Sequence, residues 1–110
     1  MGTGQIAIVF REVVMRIVVR PEAEKELLEA QAWYESKAQG LGFEFARAAD
    51  AAVASALRTP LGYGRIEAEF RRVLLRKFPY SLIYLPSDDE LLVVSFFHQH
   101  REPGVWLERL

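Results

Sequence analysis

The residues of this chain best suited to chemistry are Arg71, Arg72, Arg76, Lys77, Tyr84, His98 and Arg101. Brought together, such groups suit metal-free cleavage of RNA. One group must activate the ribose 2′-hydroxyl, one must protonate the leaving oxygen, and cations must offset the charge building on phosphorus. Spacing limits what they can do. Arg72 and Arg76 fall on one face of an extended strand with Leu74 between them, about 14 Å apart at roughly 3.4 Å per residue. That is too far for both to clamp one phosphate, although it suits a track along a nucleic-acid backbone. A solvated strand edge is the simpler role. His98 and His100 share a face, and either can exchange a proton near neutral pH. The plainer role for His98 is to fix the turn that follows, with Arg101 and Trp106 pinning the tail to the sheet. The sequence offers the two histidines no clear third ligand, although Asp88, Asp89 or Glu102 could lie near them, so neither metal nor cofactor is expected.

Composition narrows the classes. The chain has 110 residues, 51% of them hydrophobic, which fits one domain with a core of its own. The absence of cysteine excludes a disulfide framework and a thiolate zinc site, and fits a cytoplasmic setting. No apolar run approaches the roughly 20 residues that span a bilayer, so no membrane association is expected. Nothing at the N-terminus has the pattern of a secretory signal. The net charge is −1, but it is unevenly spread: residues 60–85 carry five bases and two acids, whereas residues 86–110 carry five acids and two bases. A near-neutral total argues against a nonspecific nucleic-acid coat, and an acidic C-terminal end argues against docking on a polyanion.

The elements that must position these groups are legible in outline. Gln5 to Val14 is apolar and β-branched. It reads either as an extra strand or as a start lying upstream of a natural Met15, so residues 1–14 are set apart from a domain over 15–110. A strand follows over Arg16 to Arg20. Pro21 suits the first turn of a helix, and early Glu22, Glu24 and Glu26 favour its positive end. Ala23, Leu27, Ala30 and Tyr34 recur at helical spacing, which predicts a helix over 21–38 with a solvated acidic face. Trp33 and Tyr34 are expected in the packing. Gly40-Leu41-Gly42 marks the stop and a tight connection. A second helix runs to Arg58 on a stripe of Phe45, Ala49, Ala52, Val53, Ala56 and Leu57, making an antiparallel hairpin. After a Gly62-Tyr63-Gly64 loop come strands over 70–77, 80–85 and 91–99. Alternation places Tyr80, Leu82 and Tyr84 on one face, with Ser81, Ile83 and Leu85 on the other. In the last strand Leu92, Val94, Phe96 and His98 oppose Leu91, Val93, Ser95 and Phe97. Both faces are apolar. The helices therefore cover one, and the tail, the N-terminal segment or a partner covers the other. Val105 to Leu110 is a short C-terminal helix. The order β-α-α-β-β-β is that of an α+β domain, a helical hairpin on a small, mainly antiparallel sheet.

Three stretches carry a resemblance. Trp33-Tyr34-Glu35 followed by Gly40-Leu41-Gly42-Phe43-Glu44-Phe45 resembles the helical hairpin of the RelE/ParE toxin superfamily. Arg72-Val73-Leu74-Leu75-Arg76-Lys77-Phe78-Pro79-Tyr80, running on to Ile83-Tyr84, resembles its central strands. His98-x-x-Arg101-x-Pro103-x-x-Trp106 resembles its closing segment. The set spans residues 15–107 and is most similar to the ParE-like, plasmid-stabilisation branch.

The resemblance implies a cytoplasmic toxin of a toxin–antitoxin pair that inhibits growth when free and forms a hetero-oligomer with a cognate antitoxin. Two activities occur in the superfamily. ParE-like members inhibit DNA gyrase, which requires a protein-binding surface. RelE-like members cleave mRNA on the ribosome, which would draw on Arg72, Arg76, Tyr84, His98 and Arg101. For a binding surface the candidates are Arg72, Arg76, Lys77, Tyr80, Tyr84 and Trp106. A non-toxic binding role for the same fold is a third possibility. The ParE-like reading is preferred, because no full set of base, acid and cations aligns.

Overall fold

The computed structural model describes the backbone over residues 4–10 and 13–100 and the side chains over 15–100. Strands β1 (Gly4–Phe10) and β2 (Val13–Val19) precede helices α1 (Pro21–Lys37) and α2 (Leu41–Arg58). Strands β3 (Arg65–Glu67), β4 (Phe70–Leu74), β5 (Tyr80–Pro86) and β6 (Glu90–His98) follow. They form one sheet in the order β1-β2-β6-β5-β4-β3. Only β2 and β6 run parallel; the other neighbours are antiparallel. The expected α+β architecture, a helical hairpin across a mainly antiparallel sheet, is what the chain adopts. The expected C-terminal helix, with Arg101 and Trp106, lies outside the described residues.

The hairpin forms as its sequence dictates. Gly40 turns the chain with φ 88°, a backbone conformation natural to glycine. The Glu35 carboxylate locks the turn, accepting the Gly40 and Gly42 N–H groups at 2.9 Å each. Gly42 allows the helices to meet: a Cβ there would stand 2.5 Å from the Gln31 carbonyl oxygen. Both helices then bury the stripes read from the sequence. Ala23 and Ala30 of α1, and Phe45, Ala49, Ala52, Ala56 and Leu57 of α2, are all buried. They pack with Met15, Ile17, Val73, Leu82, Tyr84, Leu91, Val93 and Phe96 from the sheet in one core.

Several details differ from expectation. Gln5–Phe10 is indeed extended, but Val13 and Val14 belong to β2, which pairs with β1 residue for residue. The strand expected over 70–77 stops at Leu74. Lys77 takes a left-handed φ of 70° ahead of Pro79, and the Leu75 N–H donates to the Tyr80 carbonyl to close the hairpin. β3 was not foreseen. It is three residues long, too short to show alternation, and its turn passes through Ala68 at φ 50° instead of a glycine.

The strict alternation assumed for the last strand also fails. Ile83 faces Ser95 and Tyr84 faces Val93, so Val94 is an extra residue, a β-bulge. It moves Phe96 to the helical side with Leu91 and Val93, while Leu92, Val94 and Phe97 lie on the other.

The second apolar face of the sheet is buried within the chain. Phe70, Ile83, Val94 and Phe97 form a second core with Ile66, Leu85 and Leu92 packed against it. Those four side chains are 0–8% exposed within the chain alone. Ile66 of the unforeseen strand is among the side chains packed against it.

Candidate functional site

The residues singled out by sequence separate into three groups in the fold. Arg72 and Arg76 line a groove of about 480 Å³ between α2 and β4, walled by Ala48, Ala51, Ala52 and Ser55 with Tyr63, Val73 and Leu74 opposite. Leu74 is 57% exposed there, and both arginines are exposed. β3 pairs only with Phe70 and Arg71, so among the described residues the edge of β4 beyond Arg71 has no neighbouring strand. Lys77 is exposed in the turn that follows. Small side chains on α2 open this groove, and the unpaired edge gives it backbone donors and acceptors.

Arg71, next in sequence, does different work. Its guanidinium donates to the Leu61 and Tyr63 carbonyls at 3.3 and 2.5 Å, tying the loop after α2 onto β4. Tyr84 belongs to the same tie. It was a candidate for the binding surface, yet it is fully buried and its hydroxyl donates to the Pro60 carbonyl at 2.7 Å. Burial pushes the phenol above its ordinary pKa, and nearby Arg71 partly offsets this. A hydroxyl so enclosed is unavailable to substrate.

His98 lies in a second cleft, about 450 Å³, between α1 and the ends of β5 and β6. Its Nδ1 accepts the His100 N–H at 3.0 Å, which leaves Nε2 to carry the proton in the neutral ring. This is the turn-fixing role expected of it. Tyr80 meets the His98 ring edge-on at 4.9 Å. Trp33, expected in the packing, is instead 56% exposed beside this cleft. Tyr34 does pack: it stacks on Phe45 at 5.3 Å and meets Phe78 edge-on at 4.8 Å, and burial raises its pKa.

One polar residue with a defined role was missed. Glu26, read as part of a solvated acidic face, is buried. Its Oε1 accepts the Ser95 hydroxyl at 2.9 Å and the Phe96 N–H at 3.1 Å. The bulge brings both donors to α1, so helix and strand are joined where the ladder is irregular. Only the burial of its neighbours Ala23 and Ala30 on the helix stripe hinted at this.

For RNA cleavage the arrangement is incomplete among the described residues. Arg72 and Arg76 line one cleft and His98 another, with no lining residue in common. Tyr84 is enclosed, and no described lysine or arginine lines the His98 cleft. A third, larger hollow of about 1230 Å³ runs from Met15 and Leu57 to Pro60, Leu61 and Pro86. It is mainly apolar and gathers no convergent set of titratable groups. The described residues hold no cluster of three or more potential metal-ligating side chains. No described helix is long and apolar enough to cross a membrane.

No protein-family model matches the chain, and no curated protein matches it. Among solved structures it is similar to a chain described as "Chromosomal ParDE TA system from P. aeruginosa". The two share 15% identity and a TM-score of 0.62, over 73% of this chain and 90% of that one. At that identity the likeness establishes the fold and nothing finer: the chain has the α+β fold that its RelE/ParE resemblance implied.

Proposed function

We propose that the chain is the toxin of a type II toxin–antitoxin pair, that it arrests growth by binding a protein target such as DNA gyrase, and that a cognate antitoxin neutralises it. The observation that carries this reading is the separation, among the described residues, of Arg72 and Arg76 from His98. With the arginines and the histidine in different clefts and Tyr84 enclosed, the described surface suits binding better than proton transfer at a phosphate. The shared fold supports the general toxin–antitoxin setting.

The groove between α2 and β4 is the docking site for the antitoxin. An extended segment laid beside β4 would gain main-chain hydrogen bonds from the unpaired edge. Apolar side chains would meet Leu74 and the alanines of α2, and acidic ones would meet Arg72, Arg76 or Lys77. This replaces the open sheet face as the place for a partner, since that face is sealed.

The test is a supercoiling assay with purified gyrase and the purified chain. Inhibition that rises with concentration and is relieved by the antitoxin is expected; full supercoiling activity at saturating chain excludes gyrase as the target.

A further inference from the structure

The two edges of the sheet are finished differently. At one end stands β3, three residues long, with exposed Arg65 and Glu67 and a register shift against β4. Shortness, charge and irregularity each discourage another strand from adding. At the other end stands β1, paired to β2 at all seven of its positions without a shift. Its sequence, Gly-Gln-Ile-Ala-Ile-Val-Phe, holds no charge and no proline. Among the described residues no strand pairs with its outer edge, and an edge this long and apolar is a template for a further strand.

The sequence of β1 indicates which strand. About Ala7 it is nearly symmetric, with Ile6 and Ile8 on either side and then Gln5 and Val9. Antiparallel pairing with a second copy, centred on Ala7, sets Ile6 opposite Ile8 of the second copy and Gln5 opposite Val9, with no like charges opposed. The open stretch of β4 offers no such match. It lies beside Arg72 and Arg76, so pairing with its own copy would gather like charges.

We propose that the chain self-associates through β1, two copies pairing antiparallel about Ala7 so that their sheets become one. A twofold contact of this kind closes on itself and leaves no β1 edge for a third copy. In the sheet order β4 lies four strands along from β1, so the groove beside β4 stays open in each copy. One strand pair buries less than roughly 1,000 Å², so the association is weak and reversible. The proposal rests on the sheet edges and not on the toxin reading, and a failed gyrase assay would leave it standing.

The test uses the full chain. In sedimentation velocity from about 1 µM to 1 mM, a shift from monomer to dimer is expected as concentration rises, with no larger species. The chain has no cysteine, so single introduced cysteines report the register. A residue on the twofold axis opposes itself within reach of a disulfide, whereas Gln5 would lie about 14 Å from its own counterpart. Under mild oxidation Ala7→Cys should link copies about tenfold faster than Gln5→Cys or Val9→Cys alone, and a mixture of the latter two should recover linking. Ala7, Gln5 and Val9 pair in β2 with Arg16, Val18 and Val14, not with buried Met15 and Ile17, so these changes spare the core.

A monomer at every concentration would overturn the proposal. So would crosslinking indifferent to position, which would put the contact elsewhere, or open-ended growth past the dimer.

Discussion

At the scale of single residues, the most consequential side chain is Glu26, whose carboxylate serves two donors that nothing else in view satisfies. Glu26→Ala orphans the Ser95 hydroxyl and the Phe96 N–H in the interior. A loss of about 2–5 kcal/mol is expected in urea denaturation, whereas Glu26→Gln, which keeps an acceptor, should lose much less. Gly42 makes a similar contrast. Gly42→Ala drives a methyl against the Gln31 carbonyl oxygen, 2.5 Å away, and should cost about 1–3 kcal/mol. Gly64→Ala, where a Cβ meets nothing within 4 Å, should be neutral or slightly stabilising.

Tyr84 supplies a pH dependence. Its folded-state pKa is raised by burial, so its contribution is complete below the unfolded phenol's pKa and is lost as pH rises through the folded value. Stability should therefore fall in alkali above about pH 10. Tyr84→Phe should remove part of that fall, leaving the share due to Tyr34, and should cost about 1 kcal/mol at neutral pH for the bond to Pro60. Thermal melts across pH 7 to 11 would show both effects; an alkaline slope unchanged by the substitution would contradict the first.

At the scale of elements, the groove beside β4 carries the interaction argument. Arg72 and Leu74 are exposed, so Arg72→Glu and Leu74→Asp should each move folding stability by no more than about 0.5 kcal/mol. Each should nevertheless weaken antitoxin capture about tenfold or more in a titrated pull-down. Antitoxin binding that survives both changes would place the partner elsewhere.

The two helices were legible because Pro21, the Gly40–Gly42 turn and a 3.6-residue apolar stripe all point the same way. The strands were less so. Nothing in Val93-Val94-Ser95 announces a bulge, since one apolar residue resembles another and only the partner strand reveals the slip. β3 was illegible because three residues cannot display a period, and because Ala68 occupies a turn position where glycine would have signalled one.

At the scale of the whole molecule, the order of elements apart from β3 followed from local patterns, but the state of the second sheet face did not. Apolar residues on both faces are compatible with a partner or with self-burial, and only tertiary packing distinguishes them; here Phe70, Ile83, Val94 and Phe97 are buried within the chain. The candidate site was legible as residue types and not as a constellation. Arg72 and Arg76 line one groove although the strand whose alternation was to align them ends at Leu74, and His98 lines another cleft.

That separation is the reason for preferring binding over catalysis, and cells can judge it directly. Shortly after induced expression of the chain, incorporation of labelled thymidine and labelled methionine should be followed side by side. Thymidine incorporation is expected to collapse first, with protein synthesis declining later. Methionine incorporation failing first, with DNA synthesis still running, would contradict the account.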